Sequence, residues 1–301
     1  DEFDKFNFSD DYFGALFQYP DNDGNIMDLS SYLDKSKNNS IFTCVASDLM
    51  SLVLLKSPGE MGADAVIGNS QRFGVPMGYG GPHAAFYATK EEFKRHIPGR
   101  IIGVSVDSAG NNAYRMALQT REQHIKRDRA TSNICTAQVL LSVMAGMYAV
   151  YHGKEGLKKI AAKIATLTQL LEKGLSSLGF NQENENFFDT LKIKVISEDK
   201  DKIREVAEKN HLNFRYFSTD HIGISLDETT DVSDVIDILN VFSEVSESAL
   251  EINLNNIDEI DYKISSSLIR NSKFLSHDVF NKYNTEHEIL RYMKRLENKD
   301  L

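Results

Sequence analysis

The sequence predicts an α/β protein with a large domain built on a mainly parallel sheet, followed by a smaller α+β domain. Short apolar runs alternate with helical stretches between residues 13 and 155, which is typical of a parallel sheet with helices on both faces. A more compact order of strands and helices begins near Gly153. We therefore expect three parts, at residues 1–152, 153–250 and 251–301, the last being a linker with a helix.

In the first part, the apolar runs predict strands at residues 13–18, 41–46, 63–67 and 84–88. The stretches after them predict helices at residues 28–36, 48–55, 91–97 and 131–151. The carboxylates Asp28 and Asp48 stand at the starts of two of these helices, where they are expected to cap free N–H groups. The helix at residues 131–151 is so apolar that we expect it to be buried.

The second part opens with an amphipathic helix at residues 156–178, whose leucines and isoleucines recur at helical spacing. Gly179 follows it as a candidate C′ residue. Further strands and helices are predicted at residues 188–196, 200–210, 213–217, 222–226 and 231–243. Near the end of the chain, Thr285 and Glu288 predict a capping box at the start of a helix over residues 285–296.

Composition excludes several classes of protein. The 301 residues are 41% hydrophobic and 26% charged, and their net charge of -10 argues against a nucleic-acid partner, which needs a basic face. The longest apolar run, residues 139–150, contains Ser142 and Gly146 and is too short to span a bilayer. Cys44 and Cys135 form neither a metal-ligand spacing nor a disulfide framework, so we expect no metal site and two buried thiols in a reducing compartment.

The most informative segment is residues 69–83, N-S-Q-R-F-G-V-P-M-G-Y-G-G-P-H, which connects two predicted strands. Its glycines allow the backbone to approach a ligand or another chain closely. The segment contains no lysine, and its glycines fit neither of the common nucleotide-binding patterns. We expect it to pack at an interface, with Tyr79 and His83 near an active site. A tight connection buried against a neighbour explains the same composition.

Basic residues cluster at residues 121–129, and a polar triplet follows them. The basic residues are Arg121, His124, Lys126, Arg127 and Arg129. A run of this kind is usually a solvated helical face. Thr131, Ser132 and Asn133 stand at the predicted start of the apolar helix, where free N–H groups either receive a cap or bind an anion.

Several ordered motifs resemble one family. They are F-Q-Y-P at 17–20, A-S-D-L at 46–49, L-Q-T-R-E-Q-H-I at 118–125, R-A-T-S-N-I-C-T-A-Q at 129–138, F-F-D-T-L at 187–191 and R-Y-M-K-R-L-E at 291–297, together with the loop at 69–83. With these motifs the chain resembles the P-proteins of the glycine cleavage system, the glycine dehydrogenases (decarboxylating). The resemblance implies a piece of a longer protein with two related halves, each with the fold of the pyridoxal phosphate (PLP) dependent aminotransferases, fold type I.

One half of the family protein carries the PLP lysine in a loop H-K-T-F-C-I-P-H-G-G-G-G-P, and this chain resembles the other half. When Phe73 and Pro76 are laid on the F and P of that loop, Gln71 takes the lysine position. An amide cannot form the covalent bond that holds PLP, because that bond needs a nucleophilic amine. The resemblance therefore implies a half without covalent PLP that supplies scaffold and interface, while the other half holds the cofactor.

The resemblance also assigns possible contacts to the cofactor of the catalytic half. Arg129, Thr131, Ser132 and Asn133 match a stretch that reaches across the dimer to the partner's cofactor phosphate, and Tyr79 and His83 are candidates beside them. Asp48 matches the aspartate that pairs with the pyridinium nitrogen. In a half without the lysine that role is vestigial, and the simpler role of a helix cap is the one we favour.

For the whole enzyme, the resemblance implies that glycine is decarboxylated with PLP and that the aminomethyl group passes to the lipoyl H-protein. The expected partners are the catalytic half, in a dimeric arrangement, and the H-protein, with neither nucleic acid nor membrane. The expected compartment is the bacterial cytoplasm or the mitochondrial matrix. Two alternatives remain open: a non-catalytic structural or regulatory subunit, and a stand-alone PLP enzyme that uses Lys56 or Lys90.

Overall fold

The computed structural model describes residues 11–131, 138–250 and 263–299. Its larger sheet has four strands in chain order: β1 (Gly14–Tyr19), β2 (Phe42–Ser47), β3 (Ala65–Asn69) and β4 (Ala85–Thr89). The first three strands are parallel, as predicted, and β4 runs antiparallel to β3. The register places Phe17, Val45 and Val66 side by side on the buried face of the sheet.

The connections after β1 and β2 contain the helix α1 (Ser30–Asn38), a 3-10 turn (Ser51–Val53) and the short helix α2 (Pro58–Met61). Parallel strands added in one direction through right-handed crossovers place their connections on one face of the sheet. The core packs there. The opposite face, which we call the open face, carries Leu16, Phe42 and Tyr87, with relative exposures of 69%, 60% and 45%.

Two sequence predictions for this region are corrected by the structure, and one element was missed. The helix predicted at 48–55 is only the 3-10 turn, and the helix predicted at 91–97 is a 3-10 turn at Glu91–Phe93. An antiparallel hairpin of β5 (Ile101–Val106) and β6 (Asn112–Ala117) was not predicted at all. Its turn is stabilised by Asp107, whose carboxylate accepts hydrogen bonds from the N–H groups of Ala109 and Asn111.

A short helix α3 (Gln123–Lys126) leads to the long helix α4 (Val139–Ser177). Two helices were predicted at 131–151 and 156–178, and they form one element interrupted at Gly153, where φ is +57°. The predicted burial of the first helix is wrong for its beginning, because Val139 and Leu140 are 63% and 72% exposed. Those side chains lie outside the core, whereas Ala145 and Ala149, farther along the helix, are buried in it.

The smaller sheet is antiparallel, in the order β7–β9–β8. Its elements are β7 (Thr190–Lys194), α5 (Ser197–Lys209), β8 (Arg215–Tyr216), β9 (His221–Ser225) and α6 (Val232–Ser246). This confirms the predicted α+β order. Gly179 has the positive φ of a C′ residue, and Thr285 caps α7 (Glu286–Glu297) through a capping box, both as predicted.

Two apolar cores lie along α4. The core under the larger sheet extends to Ala165, and the core of the smaller sheet begins at Leu167. The boundary expected near residue 153 stays a prediction. Within the described ranges, no helix combines the length and the apolar character needed to cross a membrane.

Candidate functional site

A cavity of about 430 Å³ opens at the carboxyl ends of the parallel strands. The ends of β1, β2 and β3 form one side of it, and residues around β7, β8 and β9 form the other. In open α/β sheets, ligands bind in the crevice outside the carboxyl ends of the strands. We call it the polar cavity; the lining residues discussed below are Asp21, Asp23, Asp48, Asn69, Asp189 and Arg215.

Asp48 directly follows β2 at the edge of the polar cavity. Its Oδ2 atom accepts a hydrogen bond of 2.7 Å from the backbone N–H of Ser51, so it satisfies a free donor of the 3-10 turn, although the N-cap residue of that turn is Met50 and not Asp48 as predicted. Burial raises the pKa of Asp48, and the opposing effect of the Arg72 guanidinium does not cancel this rise. The neighbouring guanidinium therefore favours the ionised form of a carboxylate that burial disfavours.

Arg72 connects the two sheets. Its Nη1 atom lies 3.3 Å from Oδ2 of Asp48 and also donates to Oδ2 of Asp189, which precedes β7. The guanidinium lies over the ring of Phe188, with 5.5 Å between the guanidinium carbon and the ring centroid. Burial would lower the pKa of Arg72, but Asp48 and Asp189 outweigh it and raise the pKa. One cation is thus shared by two carboxylates from different sheets.

Carboxylates outnumber cations in the wall of the polar cavity. The lining carboxylates are Asp21, Asp23, Asp48 and Asp189. Among the lining residues that the structure describes, Arg215 is the only cation. It donates a hydrogen bond of 2.6 Å to the carbonyl of Asn22 and lies 3.5 Å from Asp23, which also pairs with Lys192 at 3.0 Å. The wall is therefore acidic, and Arg215 already has partners.

Gln71 lies in the loop that leaves the end of β3. Its N–H donates to the side chain of Asn69 at 3.1 Å, and its carbonyl accepts from the N–H of Val75 at 3.0 Å. The resemblance assigns a lysine to this position, and the chain has an amide side chain there. Tyr79 and His83, farther along the loop, are exposed and do not line the polar cavity.

The basic run does not form one helical surface. Arg121 is 4% exposed and donates to the carbonyls of Arg95, Ile97 and Gly99, which corrects its prediction as part of a solvated face. The other basic residues of the run are exposed: His124, Lys126, Arg127 and Arg129.

Thr131 does not stand at a helix start. It lies in a bend, its hydroxyl donates to the carbonyl of Arg95 at 3.3 Å, and α4 begins only at Val139. Ser132 and Asn133 lie outside the described residues. Neither Arg129 nor Thr131 lines the polar cavity of this chain.

The other candidate groups lie away from the polar cavity. Neither Lys56 nor Lys90 lines it, and Lys90 pairs with Asp64 instead. Cys44 is only partly buried, against our expectation, and burial raises the pKa of its thiol; Cys135 lies outside the described residues. In the part of the chain that the structure describes, no group of three or more metal-ligating side chains is found.

Comparison with known proteins identifies the family. The sequence profile of the glycine cleavage system P-protein matches residues 1–242. The chain belongs to this family. It is 51% identical over 300 residues to glycine dehydrogenase (decarboxylating) of Christiangramia forsetii and 50% identical over 296 residues to the mitochondrial enzyme of Pisum sativum. These matches cover 99% and 97% of the chain but only 31% and 27% of the relatives, so the chain spans about a third of their length.

Solved structures confirm the fold predicted for this chain. A crystal structure of glycine decarboxylase (P-protein) in inhibitor-bound form matches with a TM-score of 0.70 and 30% identity, covering 79% of this chain and 56% of that one. A NifS-like protein from Rickettsia africae matches with a TM-score of 0.56 and 16% identity, covering 78% and 62%. The second likeness shows the fold alone, which is that of the PLP-dependent enzymes of fold type I.

The residues at the polar cavity of this P-protein chain do not fit PLP. The ring would need a free carboxylate at Asp48, which Arg72 already neutralises. Covalent attachment needs an amine, and at the position that the family resemblance assigns to it the chain has Gln71. The phosphate dianion would face the acidic wall described above, where Arg215 is bound to other groups.

Proposed function

We propose that the chain is the half of a glycine dehydrogenase (decarboxylating) that lacks the PLP lysine. The observation that carries this proposal is Gln71, an amide at the lysine position of a loop that keeps both prolines and three of the four consecutive glycines, Tyr79 replacing the other. The whole enzyme decarboxylates glycine with PLP held by the other half and passes the aminomethyl group to the lipoyl H-protein. This half is scaffold and interface, and it is inactive alone. The mitochondrial matrix or the bacterial cytoplasm is the matching compartment, since relatives include both kinds of source.

An exposed apolar surface supports an interface with the catalytic half. Val104 and Tyr114 are paired across the hairpin β5–β6 and are 70% and 81% exposed, and the first turn of α4 is also apolar and exposed. Monomeric proteins rarely expose contiguous apolar patches of large area. Arg129 and Thr131 lie between these two segments in the chain and are exposed, so both are available to a partner's cofactor phosphate.

The other elements of the proposal follow the same division of roles. Ser132 and Asn133 continue the segment of Arg129 and Thr131, and we assign them the same contact. Tyr79 and His83 are exposed on the glycine-rich loop and are assigned to the same interface. Residues 1–152 would belong to the large domain, residues 153–250 to the small domain and residues 251–301 to the connection with the catalytic half.

The experiment must show whether any lysine of this chain binds PLP covalently. The chain is mixed with PLP and reduced with borohydride, and the modified residues are mapped by mass spectrometry. We expect no lysine to be modified stoichiometrically and no glycine–bicarbonate exchange activity. Stoichiometric modification of one lysine, for example Lys56 or Lys90, would show instead a stand-alone PLP enzyme.

The contact with the catalytic half is tested in the complete enzyme by Arg129→Gln and Asn133→Ala. We expect each to weaken PLP binding by about tenfold, corresponding to the loss of about one charged hydrogen bond. Arg127→Gln, on the same exposed segment, is the matched control and should leave PLP affinity unchanged. Normal rates and normal PLP affinity in both variants would favour the purely structural subunit.

A further inference from the structure

The place beside Asp48 is filled by a side chain of the protein itself. Nη1 of Arg72 lies 3.3 Å from Oδ2 of Asp48, and the same nitrogen donates to Asp189. The side chains of Arg72, Asp48 and Asp189 are 25%, 26% and 15% exposed, so solvent screens this group only in part. Arg72 follows Gln71 directly, so the filled place and the missing lysine belong to one loop.

Size does not explain why the polar cavity is unsuited to PLP. Its volume of about 430 Å³ lies within the range of pockets that hold small ligands. Charge does explain it, because Asp48 already has a cation and the remaining wall is acidic. A cationic group that used Oδ2 of Asp48 would have to displace Arg72, which would leave Asp189 without that partner as well.

We propose that Arg72 is a resident cation: its guanidinium permanently fills the place beside Asp48 that the pyridinium nitrogen of PLP would need. The inference rests on the proposed function, since it explains how Asp48 is neutralised in a half that lacks the lysine and its cofactor. Arg72 thereby excludes the cofactor and fixes the end of β2 against the start of β7. Removing one member of such a buried group leaves an uncompensated charge, which is more costly than removing both members.

The first experiment removes the cation and supplies it from solution. We expect R72A to lower the Tm of the chain by about 5–10 °C. Guanidinium chloride at about 10–50 mM, far below the molar concentrations that denature proteins, should restore part of this loss in a saturable manner. Equal concentrations of sodium chloride should not. In the double variant R72A/D48N, the stabilising effect of guanidinium should be clearly weaker, because only Asp189 remains of the two carboxylates that hold Arg72.

Arg270 provides the matched control. It is another largely buried arginine, which lies 3.6 Å from Glu60 and donates to the carbonyl of Leu52, outside the polar cavity. The loss of Tm in R270A should be the same with and without D48N, whereas the losses in R72A and D48N should be strongly non-additive. A normal Tm in R72A, or a guanidinium response that does not depend on Asp48, would overturn the proposal.

The second experiment needs no variant and separates this inference from the proposed function. The unmodified chain is titrated with PLP up to about 1 mM, a range that detects even weak sites, and samples are then reduced with borohydride. We expect no saturable binding. Saturable binding that borohydride does not fix to a lysine would overturn the role of Arg72 while the proposed function stands. PLP fixed to one lysine would overturn both.

Discussion

The phenol hydroxyl of Tyr148, on helix α4, donates a hydrogen bond to the carboxylate of Glu228, which follows β9. The ring of Tyr148 also packs against Phe73 of the glycine-rich loop, with 5.6 Å between the ring centroids. Burial raises the pKa of Tyr148, and Glu228 raises it further. One side chain therefore connects the long helix, the loop after β3 and the smaller sheet.

Removing this hydroxyl should weaken the attachment of the smaller sheet. We expect Tyr148→Phe to lower the free energy of unfolding by about 1–2 kcal/mol, because the ring packing is kept while the hydrogen bond to a charged acceptor is lost. Urea unfolding measures the effect. Tyr114→Phe, on the exposed hairpin, should change stability by less than about 0.5 kcal/mol. Equal effects of the two substitutions would contradict the assigned role.

Two glycines of α4 should respond in opposite ways to the same substitution. Gly153 has a φ of +57°, and a Cβ atom there would lie 2.4 Å from the carbonyl oxygen of Phe280, so Gly153→Ala should destabilise by about 2 kcal/mol or more. Gly146 lies in the same helix, and a Cβ atom there would meet nothing within 4 Å. Gly146→Ala should therefore stabilise by about 0.5–1 kcal/mol. Thermal unfolding of the two variants checks the sign of each effect.

Arg121 should resist replacement even by lysine. Its guanidinium donates to the carbonyls of Arg95, Ile97 and Gly99, and a single ammonium group cannot reproduce that planar fork. We expect Arg121→Lys to cost about 1–3 kcal/mol and to speed amide hydrogen exchange around residues 95–99. Arg115→Lys, exposed on β6, is the control. Unchanged exchange in Arg121→Lys would show that the carbonyls find other donors.

The pair of Asp64 and Lys90 predicts a dependence of stability on pH. Burial alone would raise the pKa of Asp64, but hydrogen bonds from Lys90 and Thr43 outweigh it and hold the pKa below its usual value. A lowered folded-state pKa gives stability that is present above the unfolded value of about 3.9 and is lost as the pH falls through the folded value.

Asp64→Asn should therefore destabilise by about 1 kcal/mol at pH 7, and its difference from the unmodified chain should shrink below about pH 4. Urea titrations at several pH values measure this difference. Asp201→Asn, exposed on α5, serves as the control and should show a small difference throughout. A constant effect of Asp64→Asn from pH 7 to pH 3 would exclude the charge as its cause.

The elements that the sequence predicted are those whose signal is local. β3 and β4 are apolar runs on either side of a glycine-rich loop, and the capping box at Thr285 lies within four consecutive residues. The hairpin β5–β6 was missed because Gly103 and Ser105 interrupt its first strand and its apolar side chains are exposed. Sequence patterns identify a strand by apolar residues that face a core, and in this hairpin the apolar residues face solvent instead.

The site was predictable only in part for a similar reason. Asp48 and Gln71 stand in motifs that resemble the family, so the sequence predicts a role for each, and those roles stay predictions. The bond from Arg72 to Asp189 joins residues 117 positions apart, and no local pattern connects them. Asp189 and Arg72 each stand in a recognisable motif, but only the packing of the smaller sheet on the larger one brings them together.

The adjacency of Gln71 and Arg72 also bears on descent. On the proposed alignment, Gln71→Lys alone would restore the amine but would leave Arg72 in place on Asp48 and Asp189. Replacing Arg72 first would leave Asp48 and Asp189 without that cation, at a cost in stability. If the chain is the half that we propose, regaining PLP would therefore take a change at Gln71 and a second, destabilising change at Arg72.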